Sequence, residues 1–407
     1  MAPAEHSDIT PEIGALAGTR GSNQSGMRAH NERLVLSLVR RHGGLAKADI
    51  ARATGLSAQT VSVIMRALEA DGLLVKGAPV RGRVGQPSVP MRLAADGAFF
   101  FGLKVGRRSA DLILTDFLGE VVARTRTTYR YPDVDATLRF ATRGMAELAG
   151  ALPAGKARRI AGLGIAMPFL IWDWARIIGV EPGRLDDWRH RDLRQELADN
   201  VDMPVFLQND ATAACGAELV FGDPVAQSDF LYFFVGYFIG GGLVLNGNVF
   251  SGHTGNAGAL GSMPVPGPDG SRQLLDAASL SVLETMVEAR GGSAGWLWED
   301  PDLWELPEDT AAAWIEDAAQ AMAHAIAASI SLVDFDLVMI DGWLPSAFRT
   351  RLTDATRAAL ARMNLAGLNA PSIVEGTVGP DARTLGAASL PLSERYLIDS
   401  TAFLKQV

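Results

Sequence analysis

Two stretches of this chain repeat one plan. FFFGLKVGRRSADLILTDFLG (residues 99–119) and FLYFFVGYFIGGGLVLNGN (230–248) each run apolar strand, glycine turn, apolar strand, and then a second turn closing on glycine or asparagine. The first copy is followed by the amphipathic helix PDVDATLRFATRGMAELAGAL, the buried strand IAGLGIAMPF, the helix RDLRQELADN and the strand PVFLQND, before the second copy opens. The plan predicts two related α/β halves facing one cleft, with ligand bound at the C-terminal ends of the strands.

The chain has 407 residues, too many for one ordinary core, and 48% of them are hydrophobic, enough to fill several. Cys215 is the sole cysteine, which excludes an internal disulfide and a thiolate zinc cluster. The N-terminus MAPAEHSDIT lacks a basic-then-apolar leader pattern. The longest apolar run, FLYFFVGYFIGGGLVL, is too short and too glycine-broken to span a bilayer. A cytoplasmic protein without membrane contact is expected.

Charge divides the chain more sharply than its total of −9 suggests. Residues 20–93 hold 12 Lys and Arg against 4 Asp and Glu, whereas residues 94–407 hold 25 against 39. A basic head on an acidic body predicts that the head meets a polyanion. HNERLVLSLVRRHGG reads as an amphipathic helix, KADIARAT as a second helix ending at Gly55, and AQTVSVIMRALEADG as a third. Ser57 is placed to cap the third helix, whose apolar stripe is Val61, Ile64, Met65 and Leu68. Gln59, Thr60, Ser62 and Arg66 then face outward with Ser57, the residue types that read base edges and hold phosphate. LLVKGAPVRGRVGQPSVPMRL follows as a hairpin with Arg81 and Arg83 at its tip, a basic wing suited to a minor groove. A small interaction domain with a solvated face is the plainer reading; three concordant helices, a wing and the charge favour double-stranded DNA.

The motifs TGLS, TVSVIMRALEADGL, GRVGQP, GLGIAMP, DDW, PVFLQNDATAA, FIGGG, GNAG and TLGAA stand in the order found in the ROK family of repressors and sugar kinases, which residues 20–395 resemble. The resemblance implies an α/β two-lobed actin-like ATPase (ribonuclease H-like) fold carrying an N-terminal all-α winged helix-turn-helix head. The expected division is a flexible N-terminus over 1–24, the head over 25–93, a first lobe over 97–210 plus 386–407, and a second lobe over 211–385. The second lobe is expected to hold the effector cleft and the dimerisation surface.

Against that family Asp210 matches the carboxylate that activates a sugar hydroxyl, and Asn209 its sugar-binding neighbour. The alternative is that both merely cap the helix that follows. The first phosphate loop departs from the kinase pattern: Lys104 replaces an acidic residue, and Arg107 and Arg108 replace small ones. The glycines 240–242 retain the second loop. Where kinases of the family carry GExGH the chain has GALGS, with Ala259 and Ser262, and Leu275 stands for a further glutamate. The segment matching the family's zinc loop has no cysteine, so no metal or cofactor is expected. His253 and Asn256 join Asn209 and Asp210 as candidate effector contacts, although a lone turn histidine is more often structural. Trp296, Trp298 and Trp304 suit ring stacking or packing, the latter being commoner. Gly342 and the Gly386–Ala388 run match adenosine-holding turns and are read as close-packing turns.

These readings converge on a non-enzymatic transcription regulator, a repressor of carbohydrate genes. A homodimer is expected to bind an inverted-repeat operator and respond to a sugar or polyol effector. The alternative is a sugar kinase with an accessory DNA-binding domain.

Overall fold

The computed structural model describes residues 24–79, 89–175, 179–223 and 229–398. Residues 1–23 of the expected flexible N-terminus, and the two wing arginines Arg81 and Arg83, lie outside the described residues.

The head is three helices, Gln24–His42, Lys47–Thr54 and Ala58–Ala70, followed by strands β1 (Leu74–Lys76) and β2 (Met91–Leu93) paired antiparallel. The first helix begins earlier than the sequence suggested. Gly55, at φ 70°, ends the second helix in the left-handed conformation that glycine adopts without strain. Ser57 caps the third helix as expected, its Oγ accepting from the Thr60 N–H at 3.1 Å. Val61, Ile64, Met65 and Leu68 are all buried, so the apolar stripe is the core face.

The body contains two sheets of the same design. In the first, β3 (Phe99–Val105), β4 (Ser109–Thr115) and β5 (Val121–Thr128) form an antiparallel meander, and β6 (Ile160–Ala166) and β7 (Val205–Gln208) extend it in parallel beyond β3. The order is β5-β4-β3-β6-β7. In the second, β8 (Phe230–Val235), β9 (Gly240–Leu245) and β10 (Asn248–Val249) form the meander, and β13 (Leu337–Gly342) and β14 (Ser372–Glu375) extend it beyond β8. The order is β10-β9-β8-β13-β14, with a small hairpin of β11 (Pro264–Gly267) and β12 (Gly270–Gln273) apart from it. The repeat read in the sequence is therefore a repeat of topology.

Two helices stand between the sheets. Helix Asp210–Phe221 packs on β9, and helix Ala382–Tyr396 lies across β3 and β6; the two helices also pack against each other. Glycine makes this possible. A Cβ on Gly164 would lie 1.8 Å from the Ala387 carbonyl oxygen, and one on Gly386 would lie 1.9 Å from that of Ala213. Gly386 thus serves close packing, as read, but from within a helix and not from a turn. A Cβ on Gly342 would meet the Val235 carbonyl oxygen at 2.3 Å, the close approach expected of it. The long helix Glu308–Ile330 buries its alanine-rich face in the core of the second half, with Trp314 fully enclosed.

The head shares a core with the first sheet. Val35, Val39, Ile64 and Met65 of the head cluster with Phe100, Phe117, Ala388 and Leu392. Tyr396 sets its ring edge-on to Phe100 and Phe117, at centroid distances of 5.9 and 5.0 Å. Arg40 of the first helix donates to the Phe117 carbonyl, and burial lowers its pKa to about 10. The Ile398 N–H donates to Ser37 Oγ at 3.0 Å, tying the end of the last helix to the first.

Candidate functional sites

On the head, Gln59, Ser62, Val63 and Arg66 fall at spacings of three and four along helix Ala58–Ala70 and share its outward face. Gln59 and Arg66 are exposed, and Thr60 and Ser62 are half-buried. Ser57, also exposed, shares a 2.8 Å hydrogen bond with Thr60 Oγ1 besides its capping role. Two residues on this surface escaped the sequence reading. Val63 is 49% exposed at the centre of the face, an apolar group of the kind that meets a thymine methyl. Lys47 reaches across from the second helix and donates to Ser62 Oγ at 3.3 Å. Val63 was detectable as an apolar residue off the buried stripe.

In the body, the cleft between the sheets holds a cavity of about 370 Å³ whose lining includes Lys104, Arg107, Arg108, Tyr237, Trp298 and Arg383. The first glycine turn and its repeat meet there. Arg107 lays its guanidinium over the Tyr237 ring, 4.0 Å from the centroid. Arg108 donates to Glu284 Oε1 at 2.7 Å, and that oxygen also accepts from Trp298 Nε1 at 3.2 Å. The two arginines that displace the kinase residues thus clasp the opposite half.

Lys104 behaves differently. It is buried, donating to Asp111 Oδ2 at 2.8 Å and to Ser109 Oγ at 2.9 Å. Burial lowers its pKa to about 8, Asp111 opposing that shift and Arg383 adding to it. Burial alone would raise the Asp111 carboxyl; Lys104 and Arg126 hold it below the usual range instead. Lys104 is therefore part of an ion pair with Asp111 at the cavity wall.

Asn209 and Asp210 sit where β7 enters helix Asp210–Phe221, and their roles separate. Asn209 is the cap, its Oδ1 accepting from the N–H groups of Ala211 and Thr212 at 3.1 and 3.3 Å. Asp210 is the first helical residue, with its carboxylate 3.3 Å from Arg383 Nη1. Both partners are largely buried, at 16% and 18% side-chain exposure. The sequence reading missed Arg383, although it directly precedes the TLGAA motif.

His253 and Asn256 are exposed on the turn 251–258, and neither lines the cavity. That turn touches the first half: Gln208 Nε2 donates to Ser251 Oγ at 3.2 Å. Of the tryptophans, Trp298 lines the cavity, whereas Trp296 and Trp304 pack against the second-half core. The glycines 240–242 are a correction. They belong to strand β9, not to a loop, and they let helix Asp210–Phe221 approach; a Cβ on Gly240 would lie 2.6 Å from that of Ala211. The turn that faces the first loop is instead Gly236–Ile239. The segment matching the family's zinc loop is the β11–β12 hairpin, where Arg272 pairs with Asp317, and its residues do not fit a zinc ion.

Comparison with known proteins decides the lineage. Residues 100–394 match the ROK family, and residues 28–75 match a winged helix-turn-helix DNA-binding domain. The chain belongs to the ROK family. A transcriptional regulator of Mycobacterium bovis is 26% identical over 89% of this chain and 85% of its own length. The xylose repressor of Bacillus subtilis is 24% identical over 60% of this chain and 62% of its own. Among solved structures, a ROK family transcriptional regulator described as a homologue of the Escherichia coli MLC protein covers 93% of this chain and 98% of its own, at TM-score 0.65 and 21% identity. The head and the body thus both have counterparts in one solved ROK fold. Among the described residues no helix is long and apolar enough to cross a membrane.

Proposed function

We propose that this ROK protein is a DNA-binding transcriptional repressor of carbohydrate uptake or catabolism genes, controlled by a sugar or polyol in the cleft and without catalysis. The observation that carries the reading is helix Ala382–Tyr396. Its first turn holds Arg383, paired with Asp210 at the cleft, and its last turn holds Tyr396, packed in the core shared with the head. Its 15 residues span about 22 Å as one helix. An effector that binds the open and closed clefts unequally would tilt this helix and with it the reading head. In a homodimer on an inverted repeat, that tilt changes the separation of the two heads. The relatives named as repressors and regulators support the output side of this reading.

The reading can be tested with DNA from the gene's own promoter region, by fluorescence anisotropy with and without a panel of sugars. Arg66→Ala is expected to weaken operator binding about tenfold and to reduce the salt slope by about one, while leaving thermal stability unchanged. Unchanged affinity in this variant would remove the third helix from the interface. Retention of Asp210 at the end of β7 keeps a second reading in play, a sugar kinase with an accessory head. ATP consumption with any sugar of the panel would establish that reading over the first.

A further inference from the structure

The connection between head and body has no slack. Residues 94–98 alone separate β2 from β3, and they are bonded on both sides. The Ala94 N–H donates to the Leu73 carbonyl of the head at 3.0 Å, and the Ala95 carbonyl accepts from the Phe117 N–H of the first half at 2.9 Å. Asp96 pairs with Lys156 of the first half. Arg159, the residue before β6, reaches back across this connection. Its Nη1 lies 3.1 Å from the Gly97 carbonyl oxygen, 3.3 Å from that of Asp96, and 3.4 Å from that of Gly72, just past the reading helix Ala58–Ala70. Gly72 leaves room for the guanidinium, since a Cβ there would stand 2.7 Å from Arg159 Nη2. Elsewhere on the head, Arg40 stands over the rings of Phe117 and Phe221, 5.4 and 5.8 Å from their centroids. Linkers between independently moving units are exposed and crossed by few contacts. A hinge here would instead have to break these bonds and open the apolar cluster that head and first sheet share.

We infer that Arg159 is a positioning residue for operator reading: it locks the end of the reading helix to the first half, so that head and first half tumble, and dock on DNA, as one body. A planar guanidinium holds carbonyls of two chain segments in one fixed geometry, which a lysine ammonium on its flexible stem does not. Arg159 thus acts on DNA through the helix it holds. In a two-headed protein such a lock has a definite benefit. Once one head is bound, the second is presented at a set distance and angle, and less orientational freedom is lost when it engages. The rigidity follows from the fold alone, whereas its consequence for DNA rests on the dimeric repressor proposed above.

The test uses the full chain and two measurements. The first is time-resolved fluorescence anisotropy without DNA, with a dye on Ala53→Cys, an exposed position of the second helix; the native Cys215 is buried. With Arg159 in place the dye should report whole-molecule tumbling, Arg159→Ala should add a faster component from a loosened head, and Arg159→Lys should fall between. The second uses DNA selected by the unaltered chain from a random pool, offered as a full inverted repeat and as a single half-site. Arg159→Ala should bind the full repeat about tenfold more weakly and the half-site within about twofold of its parent, which also shows that its head is folded. Its salt slope should be unchanged, whereas loss of a phosphate contact would reduce that slope by about one. A faster head component with Arg159 in place overturns the inference, as does Arg159→Ala tumbling like its parent. Equal losses on full repeat and half-site, or a reduced salt slope, overturn it too, by making Arg159 a fold or DNA contact. Failure of the unaltered chain to select any DNA would refute the repressor reading, while the tumbling measurement still decides whether Arg159 holds the head.

Discussion

The two halves of the body share a strand order and differ at the tips. In the first, the turn between β3 and β4 is Gly106-Arg107-Arg108; in the second, the turn between β8 and β9 is Gly236-Tyr237-Phe238. Equivalent turns of one repeat have become opposite in chemistry, and they meet face to face. The frame of a repeat is specified by strand burial and glycine packing, which tolerate little change. Turn tips carry no such constraint and are free to acquire a cation on one side and an aromatic ring on the other. The two equivalent turns thus form a clasp across the cleft.

The frame should be least forgiving where a helix crosses a glycine, and the two halves differ in what the crossing meets. In the first, Gly164 faces the backbone of helix Ala382–Tyr396, with the Ala387 carbonyl where a methyl would go. In the second, Gly240 faces the Ala211 side chain, which has some room to move. Gly164→Ala is expected to destabilise by about 3 kcal/mol or more, and Gly240→Ala by about 1 kcal/mol, in denaturant unfolding. Because the helix displaced by Gly164→Ala carries the head, operator affinity should fall as well in that variant alone. Equal costs for the two would mean that the halves are packed alike.

The halves also bury different ion pairs. Asp341 of the second is fully buried and accepts from Arg349 Nη1 at 3.0 Å, from Tyr232 Oη at 3.0 Å and from the Gly379 N–H at 2.9 Å. An arginine so held keeps its charge at any working pH. In the first half the cation is Lys104, whose pKa burial lowers to about 8, against 10.5 ordinarily. Between those values the native chain has released a proton that the unfolded chain still holds. Raising the pH from about 8 to about 10.5 therefore removes the proton from the unfolded chain alone, and stability rises through that window. The gain is on the order of a few kcal/mol at most. Lys104→Met should flatten this rise, measured as the difference between the variant's and the parent's unfolding free energies across the window. A parallel pair of curves would mean that Lys104 is an ordinary lysine.

Much of this architecture was legible. Val61, Ile64, Met65 and Leu68 declared the third helix by period, and the repeated hairpin declared two halves, because burial writes itself into apolar spacing. The site was less legible because its contacts are long-range. Arg383 lies 173 positions beyond Asp210, and Glu284 lies 176 beyond Arg108, separations at which no local pattern links two side chains. Glycines 240–242 misled for the complementary reason: a glycine run can mark either a phosphate turn or a strand under a helix, and only the neighbouring helix distinguishes them. The shared core of head and body was likewise invisible, since Phe100 and Tyr396 read simply as apolar residues of their own elements.

The smallest expected effect belongs to the clasp itself. Tyr237→Ala removes the ring under Arg107 and leaves the Arg108–Glu284 pair in place. A cation–π contact at a part-exposed site contributes about 0.5–1 kcal/mol, so stability should fall by about that much. The structural consequence is sharper than the energetic one. With one of the cross-cleft contacts gone, the halves should separate more readily, and small-angle X-ray scattering of the unliganded variant should report a larger radius of gyration. Glu284→Gln weakens another contact, and the double variant should open further than either single one. If neither variant alters the scattering, the two turns lie against each other without holding the halves together, and closure of the cleft must be assigned to the packed helices Asp210–Phe221 and Ala382–Tyr396 instead.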